Sequence, residues 1–82
     1  MTLYQFKLLA EDQQMDLVWN EAVYVGDIQL TFTSILLYQL NSFFIEIACF
    51  KPNNKYFIVR SFSNINELKP YLNQIELSEF MM

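Results

Sequence analysis

The feature that most restricts how this chain can fold is the stretch at residues 34–62, SILLYQLNSFFIEIACFKPNNKYFIVRSF. Three apolar runs are separated there by two short groups of turn-forming residues, the pattern of three consecutive antiparallel strands. The first turn is Asn41 and Ser42, because Asn tolerates positive φ. A two-residue loop sets Leu40 opposite Phe43, Tyr38 opposite Ile45 and Leu36 opposite Ile47, all on one face, and a one-residue slip would destroy that match. The second turn holds Pro52, Asn53 and Asn54, and a three-residue loop is expected. It sets Ile47 opposite Val59, Cys49 opposite Phe57, Glu46 opposite Arg60 and Phe44 opposite Phe62.

These registers leave both faces of the sheet apolar. Phe44, Ala48, Phe50, Tyr56, Ile58 and Phe62 populate the second face, so a layer is required on each side. One small helix cannot supply both. The second layer is expected from the C-terminal segment, the N-terminal strand or another chain.

Composition sharpens that expectation. A chain of 82 residues buries only about 60–65% of its unfolded surface, yet 54% of this one is hydrophobic and 17% aromatic, with eight Phe and five Tyr. Exposed apolar surface usually marks an interface, so a homo-oligomer or a protein partner is expected. The net charge is −4 with five basic residues, which provides no cationic field for nucleic acid. Cys49 is the one cysteine, so no internal disulfide or multi-cysteine metal site forms, and a reducing, cytoplasmic setting fits. No apolar run approaches a membrane span, and no membrane association or cofactor is expected.

Outside the central stretch, residues 2–9 alternate Tyr4, Phe6 and Leu8 with polar neighbours, which predicts a short first strand. From Ala10 the period changes: Met15, Val18, Trp19 and Ala22 share a face, so a helix over residues 11–22 follows. Gly26 and Asp27 read as a two-residue hairpin turn placing Val25 opposite Ile28 and Val23 opposite Leu30. Residues 28–40 then form one long strand with a bend or bulge at residues 31–34. After Phe62, Asn64 and Glu67 have capping-box spacing, a turn spans residues 64–68, and a short helix starts near Pro70, which is acceptable as a first helical residue. The apolar stripe continues through Leu72 and Ile75, and the tail EFMM is expected to fray or to dock on a partner. The chain thus predicts a single α+β domain over residues 1–82: an antiparallel β-meander of four to five strands, one helix in the N-terminal half and a short C-terminal helix.

The segments LLYQL, SFFIEI, VRSF and LKPYL together make an LYQL…FxxEI…RSF…LxPYL pattern that resembles small bacterial proteins without an assigned activity. The resemblance covers about half of the chain, implies the same sheet-based fold, and carries no site.

Chemical candidates are few. Histidine is absent, which removes the commonest general base and metal ligand. Cys49 lies in an apolar strand and reads as a small hydrophobe rather than a nucleophile. Glu46, between Ile45 and Ile47, reads as the partner of Arg60 in a cross-strand ion pair, with a raised carboxylate pKa as the competing possibility. KYFIVRSF lacks the glycines of an RNA-binding strand, and a lone Gly26 makes no phosphate loop. Trp19 reads as a core anchor. Two functional readings result, neither enzymatic. One is an interaction or homodimerisation domain using the sheet face of Phe44, Glu46, Ile58, Arg60 and Phe62. The other is a small apolar-ligand protein with a pocket lined by Trp19, Tyr38, Phe43 and Phe57.

Overall fold

The computed structural model describes residues 1–71; the expectations for Leu72, Ile75 and the EFMM tail lie outside the described residues. The elements are α1 (Leu3–Lys7), α2 (Glu11–Glu21), β1 (Val23–Gln29), β2 (Thr33–Leu40), β3 (Phe43–Phe50), β4 (Lys55–Phe62) and a 3₁₀ turn (Ile65–Leu68). The four strands form one antiparallel meander in the order β1-β2-β3-β4. This is an α+β fold: α1 and α2 cover one face of the sheet, called inner here, and the segment that follows β4 lies on the outer face.

The β2–β3 hairpin takes the register expected from Asn41 and Ser42. Leu40 pairs with Phe43, Tyr38 with Ile45 and Leu36 with Ile47, and Asn41 adopts φ 55°, a conformation that Asn accepts more readily than most residues. Leu40, Phe43, Ile45 and Ile47 are buried and meet Phe6 of α1 and Val18 of α2 in the main core. Phe6 and Phe43 pack ring against ring at 5.4 Å.

The N-terminal segment is a helix, not the expected strand. The Thr2 hydroxyl accepts from the Gln5 N–H at 3.1 Å, and the Gln5 side chain accepts from the Thr2 N–H at 2.9 Å. That reciprocal cap starts α1. The helical period then places Leu3, Phe6 and Leu9 on the core, whereas Tyr4 and Leu8, which the strand reading paired with Phe6, are exposed. A bond from Gln14 Nε2 to the Phe6 carbonyl, 2.8 Å long, ties α2 to α1. The second helix covers residues 11–21, as its apolar period indicates.

Gly26 and Asp27 do not turn the chain. Both lie inside β1, opposite Leu37 and Leu36, and Gly26 has no positive φ. A bulge falls at Val25, between the Tyr24 and Gly26 pairings. Residues 28–40 are therefore two strands, and the chain reverses at residues 30–32, where the Leu30 N–H donates to the Thr33 carbonyl at 2.8 Å. Long-range contacts hold this turn. Lys51 donates from its backbone N–H to the Phe32 carbonyl and from Nζ to the Leu30 carbonyl, each at 2.8 Å.

The β3–β4 hairpin is half as expected. Glu46 pairs with Arg60 and Phe44 with Phe62, but Ile47 pairs with Ile58, Ala48 with Phe57 and Cys49 with Tyr56. The loop spans four residues, 51–54, with Asn54 at φ 54°, and a bulge at Val59 absorbs the extra residue before Arg60. The consequence is a change of face. Tyr56 and Ile58 turn inward and Phe57 turns outward, the reverse of the expected positions.

Candidate functional site

The outer face centres on Glu46, which β3 places between Leu37 of β2 and Arg60 of β4. Its carboxylate is buried, and both oxygens are engaged. Arg60 Nε donates to Oε1, and the Tyr71 hydroxyl donates to Oε2 at 2.5 Å. Arg60 reaches further, with Nη1 donating to Glu67 Oε1 at 2.6 Å, and its guanidinium lies 4.5 Å above the Phe62 ring. Charge-assisted bonds of this kind are the strong ones, and the planar guanidinium can serve two carboxylates at once. The Glu46 carboxylate accordingly holds the Arg60 guanidinium above its ordinary pKa. The Tyr71 phenol is also pushed up, first by burial and then by its bond to Glu46. Among the described residues no buried side-chain polar atom lacks a partner.

This network holds a second, smaller core. Leu37, Phe44, Phe62 and Tyr71 are buried together, with Ile28 and Leu68 packed against them, and Phe44 stacks on Phe62 at 5.7 Å. The segment after β4 is thus the layer that the outer face requires. Asn64 caps the 3₁₀ turn by accepting from the Asn66 N–H at 2.9 Å. Glu67 turns its carboxylate to Arg60 instead of completing the expected capping box, and helical backbone follows at residues 69–71.

The structure unites four of the five residues read as an interface. Phe44, Glu46, Arg60 and Phe62 share the outer face, the first two and Phe62 buried beneath Leu68 and Tyr71, while Ile58 sits on the inner face against the main core. Tyr71 and Glu67 complete the site and were missed. Their spacing from Glu46 carries no local signal, and only the return of the chain across the sheet brings them together.

Beyond that cover, the outer face stays apolar toward the end carrying the β1–β2 and β3–β4 loops. Phe57 and Phe50 are 46% and 38% exposed on this face, next to Ala48 and Ile35, and Phe32 in the adjoining turn is 64% exposed.

The four residues read as a pocket divide between the layers. Trp19 and Tyr38 meet edge to face at 5.6 Å on the inner side. Phe43 is fully buried in the main core, and Phe57 lies on the opposite face. Tyr56 stands where Phe57 was expected, 5.4 Å from Trp19 and beside half-buried Cys49. A four-residue loop at residues 51–54 would have identified Tyr56.

Among the described residues, no group of three or more His, Cys, Asp or Glu side chains is placed to hold a metal ion, and no helix is long and apolar enough to cross a membrane. The chain matches no family model, no curated protein and no solved structure.

Proposed function

We propose that the chain is a non-enzymatic protein-interaction domain that pairs with a second copy of itself through the half of its outer sheet face that the described residues leave uncovered. The observation that carries this reading is the row of half-exposed Phe57, Phe50 and Phe32 beside Ile35 and Ala48. Large exposed apolar side chains grouped together favour association, and a two-fold pairing of like patches is the commonest arrangement for a second copy. The sheet edges are poorer candidates. Both outer strands carry a bulge, at Val25 in β1 and at Val59 in β4, and bulges twist an edge away from further pairing.

The proposed surface adjoins the Glu46 network but does not include it. Glu46, Arg60 and Tyr71 hold the C-terminal cover over Leu37, Phe44 and Phe62, and so define where the patch ends. Size exclusion with light scattering tests the proposal. The expected result is a concentration-dependent dimer that Phe57→Glu converts to a monomer. A wild-type monomer that binds no apolar dye would contradict it, and a monomer that binds dye would replace the second copy with a different protein partner.

A further inference from the structure

We infer that residues 72–82 dock back on the apolar half of the outer face of their own chain, where they compete with the second copy. The competition rests on the dimer reading; the docking rests on the placement of Tyr71 and on the sequence that follows it.

Tyr71, the last described residue, brings the chain to the border of the patch. Its hydroxyl bonds to Glu46, and its ring lies 4.0 Å from where a Cβ on Gly26 would stand. Gly26, Leu37, Glu46 and Arg60 form one row across the outer face. The next row is Ile28, Ile35, Ala48 and Phe57, and Phe50 and Lys55 lie in the row beyond. Rows on one face are about 7 Å apart, so the far row is about 13 Å from the row of Glu46. Even at the short rise of a helix, 1.5 Å per residue, residues 72–82 span about 16 Å, and an extended chain reaches more than about twice as far.

The sequence beyond Tyr71 matches the patch. Leu68 and Tyr71 pack on the outer face with Leu37, Phe44 and Phe62, and Leu72 and Ile75 continue their stripe in sequence at the i, i+3, i+4, i+7 spacing. Phe80, Met81 and Met82 follow, and methionine thioethers pack favourably against phenyl rings such as those of Phe50 and Phe57. The charges are opposite as well. Residues 72–82 carry Glu76 and Glu79 and no lysine or arginine, whereas Lys55 shares the far row of the patch with Phe50. Complementary charge at the rim of an apolar contact selects the partner and fixes its register.

Tethering favours this occupant over a free one. A segment joined directly to Tyr71 meets the patch at an effective concentration of about millimolar order, while a second copy has to arrive from solution. Dimerisation then requires the segment to leave the patch in both copies. If it is docked about two-thirds of the time, about a third of the patches are free, and the requirement for two free patches raises the dimer dissociation constant about tenfold. Residues 72–82 thereby set the concentration at which the chain pairs.

The test compares the full wild-type chain with the double change Leu72→Asp, Ile75→Asp, by sedimentation across a dilution series and by NMR of the dilute monomer. The double change should tighten the dimer about tenfold and, in the dilute spectra, move the signals of Ile35, Ala48 and Phe57. The dilute wild-type chain should show nuclear Overhauser contacts between the Ile75 methyls and the Phe57 or Phe50 ring, a readout that does not depend on a variant folding. Absence of those contacts would overturn the inference, as would a dimer whose dissociation constant the double change leaves unaltered; the dimer reading survives the second result. If both chains stay monomeric at every concentration while the Ile75 contacts are present, the dimer reading fails and the docking stands.

Discussion

The two faces of one sheet are covered in different ways. The inner face is closed by purely apolar contact: Phe6 and Val18 descend from two helices onto Phe43, Ile45 and Ile47, all fully buried. The described residues close the outer face over only part of its area, and that cover is held by a buried carboxylate with an arginine and a tyrosine bonded to it. Apolar packing tolerates many arrangements, whereas a buried carboxylate tolerates only those that satisfy both oxygens. The inner face therefore supplies most of the stability, and the outer network fixes where the C-terminal segment lies.

This contrast ranks the expected mutational effects. Phe43→Ala should cost about 3–5 kcal/mol, the range for deleting a buried phenyl ring, and urea denaturation should show most of the fold's stability gone. Arg60→Leu should cost less, about 2 kcal/mol: removing one member of a buried pair costs about 3–5 kcal/mol, but the Arg60 side chain is 40% exposed and solvent screens part of the interaction. The triple change Glu46→Leu, Arg60→Leu and Tyr71→Phe should recover most of that loss, because it leaves neither an unpaired buried charge nor the buried Tyr71 hydroxyl without its acceptor. A triple variant no more stable than Arg60→Leu alone would show that the network does more than compensate its own burial.

Tyr71→Phe comes next, at about 1.5 kcal/mol, the low end for one hydrogen bond to a charged group, and it carries a pH signature. The phenol is raised above its ordinary 10.0 in the folded state, so above pH 10 the folded chain retains a proton that the unfolded chain releases. Its contribution is complete below pH 10 and declines as pH climbs toward the folded value. Urea midpoints at pH 8 and pH 10.5 should converge for wild type and Tyr71→Phe. A constant gap would remove Tyr71 from the network.

The smallest effect is expected at Gly26. A Cβ there would meet Tyr71 Cδ1 at 4.0 Å, ordinary contact, and the residue has no positive φ. Gly26→Ala should therefore change stability by less than about 1 kcal/mol, in the stabilising direction through the unfolded state.

Residues whose structure is dictated by near neighbours were legible from the sequence. Asn41 and Ser42 set the β2–β3 register and the 3.6-residue period marked α2; the pairing of Glu46 with Arg60 was expected from a three-residue loop and holds only because the bulge at Val59 cancels the shift made by the four-residue loop. Distance along the chain hid the rest. The turn at residues 30–32 has no glycine, proline, asparagine or aspartate and depends on Lys51 from the neighbouring hairpin, whereas Gly26 and Asp27 supplied a turn signal inside a strand. The cap joining Thr2 and Gln5 was present as a local motif, yet the alternation of Tyr4, Phe6 and Leu8 outweighed it. At the site, the extra loop residue exchanged Phe57 for Tyr56, and Tyr71 reached Glu46 across 25 positions.

The most direct test of the contrast between the faces is a dilution series of the wild-type chain followed by backbone NMR. Association through the uncovered outer face predicts concentration-dependent shifts at Ile35, Ala48, Phe50 and Phe57, abolished by Phe57→Glu, with Val18 and Phe43 unmoved. Spectra that do not change with concentration, or shifts confined to the β1 and β4 edges, would contradict it.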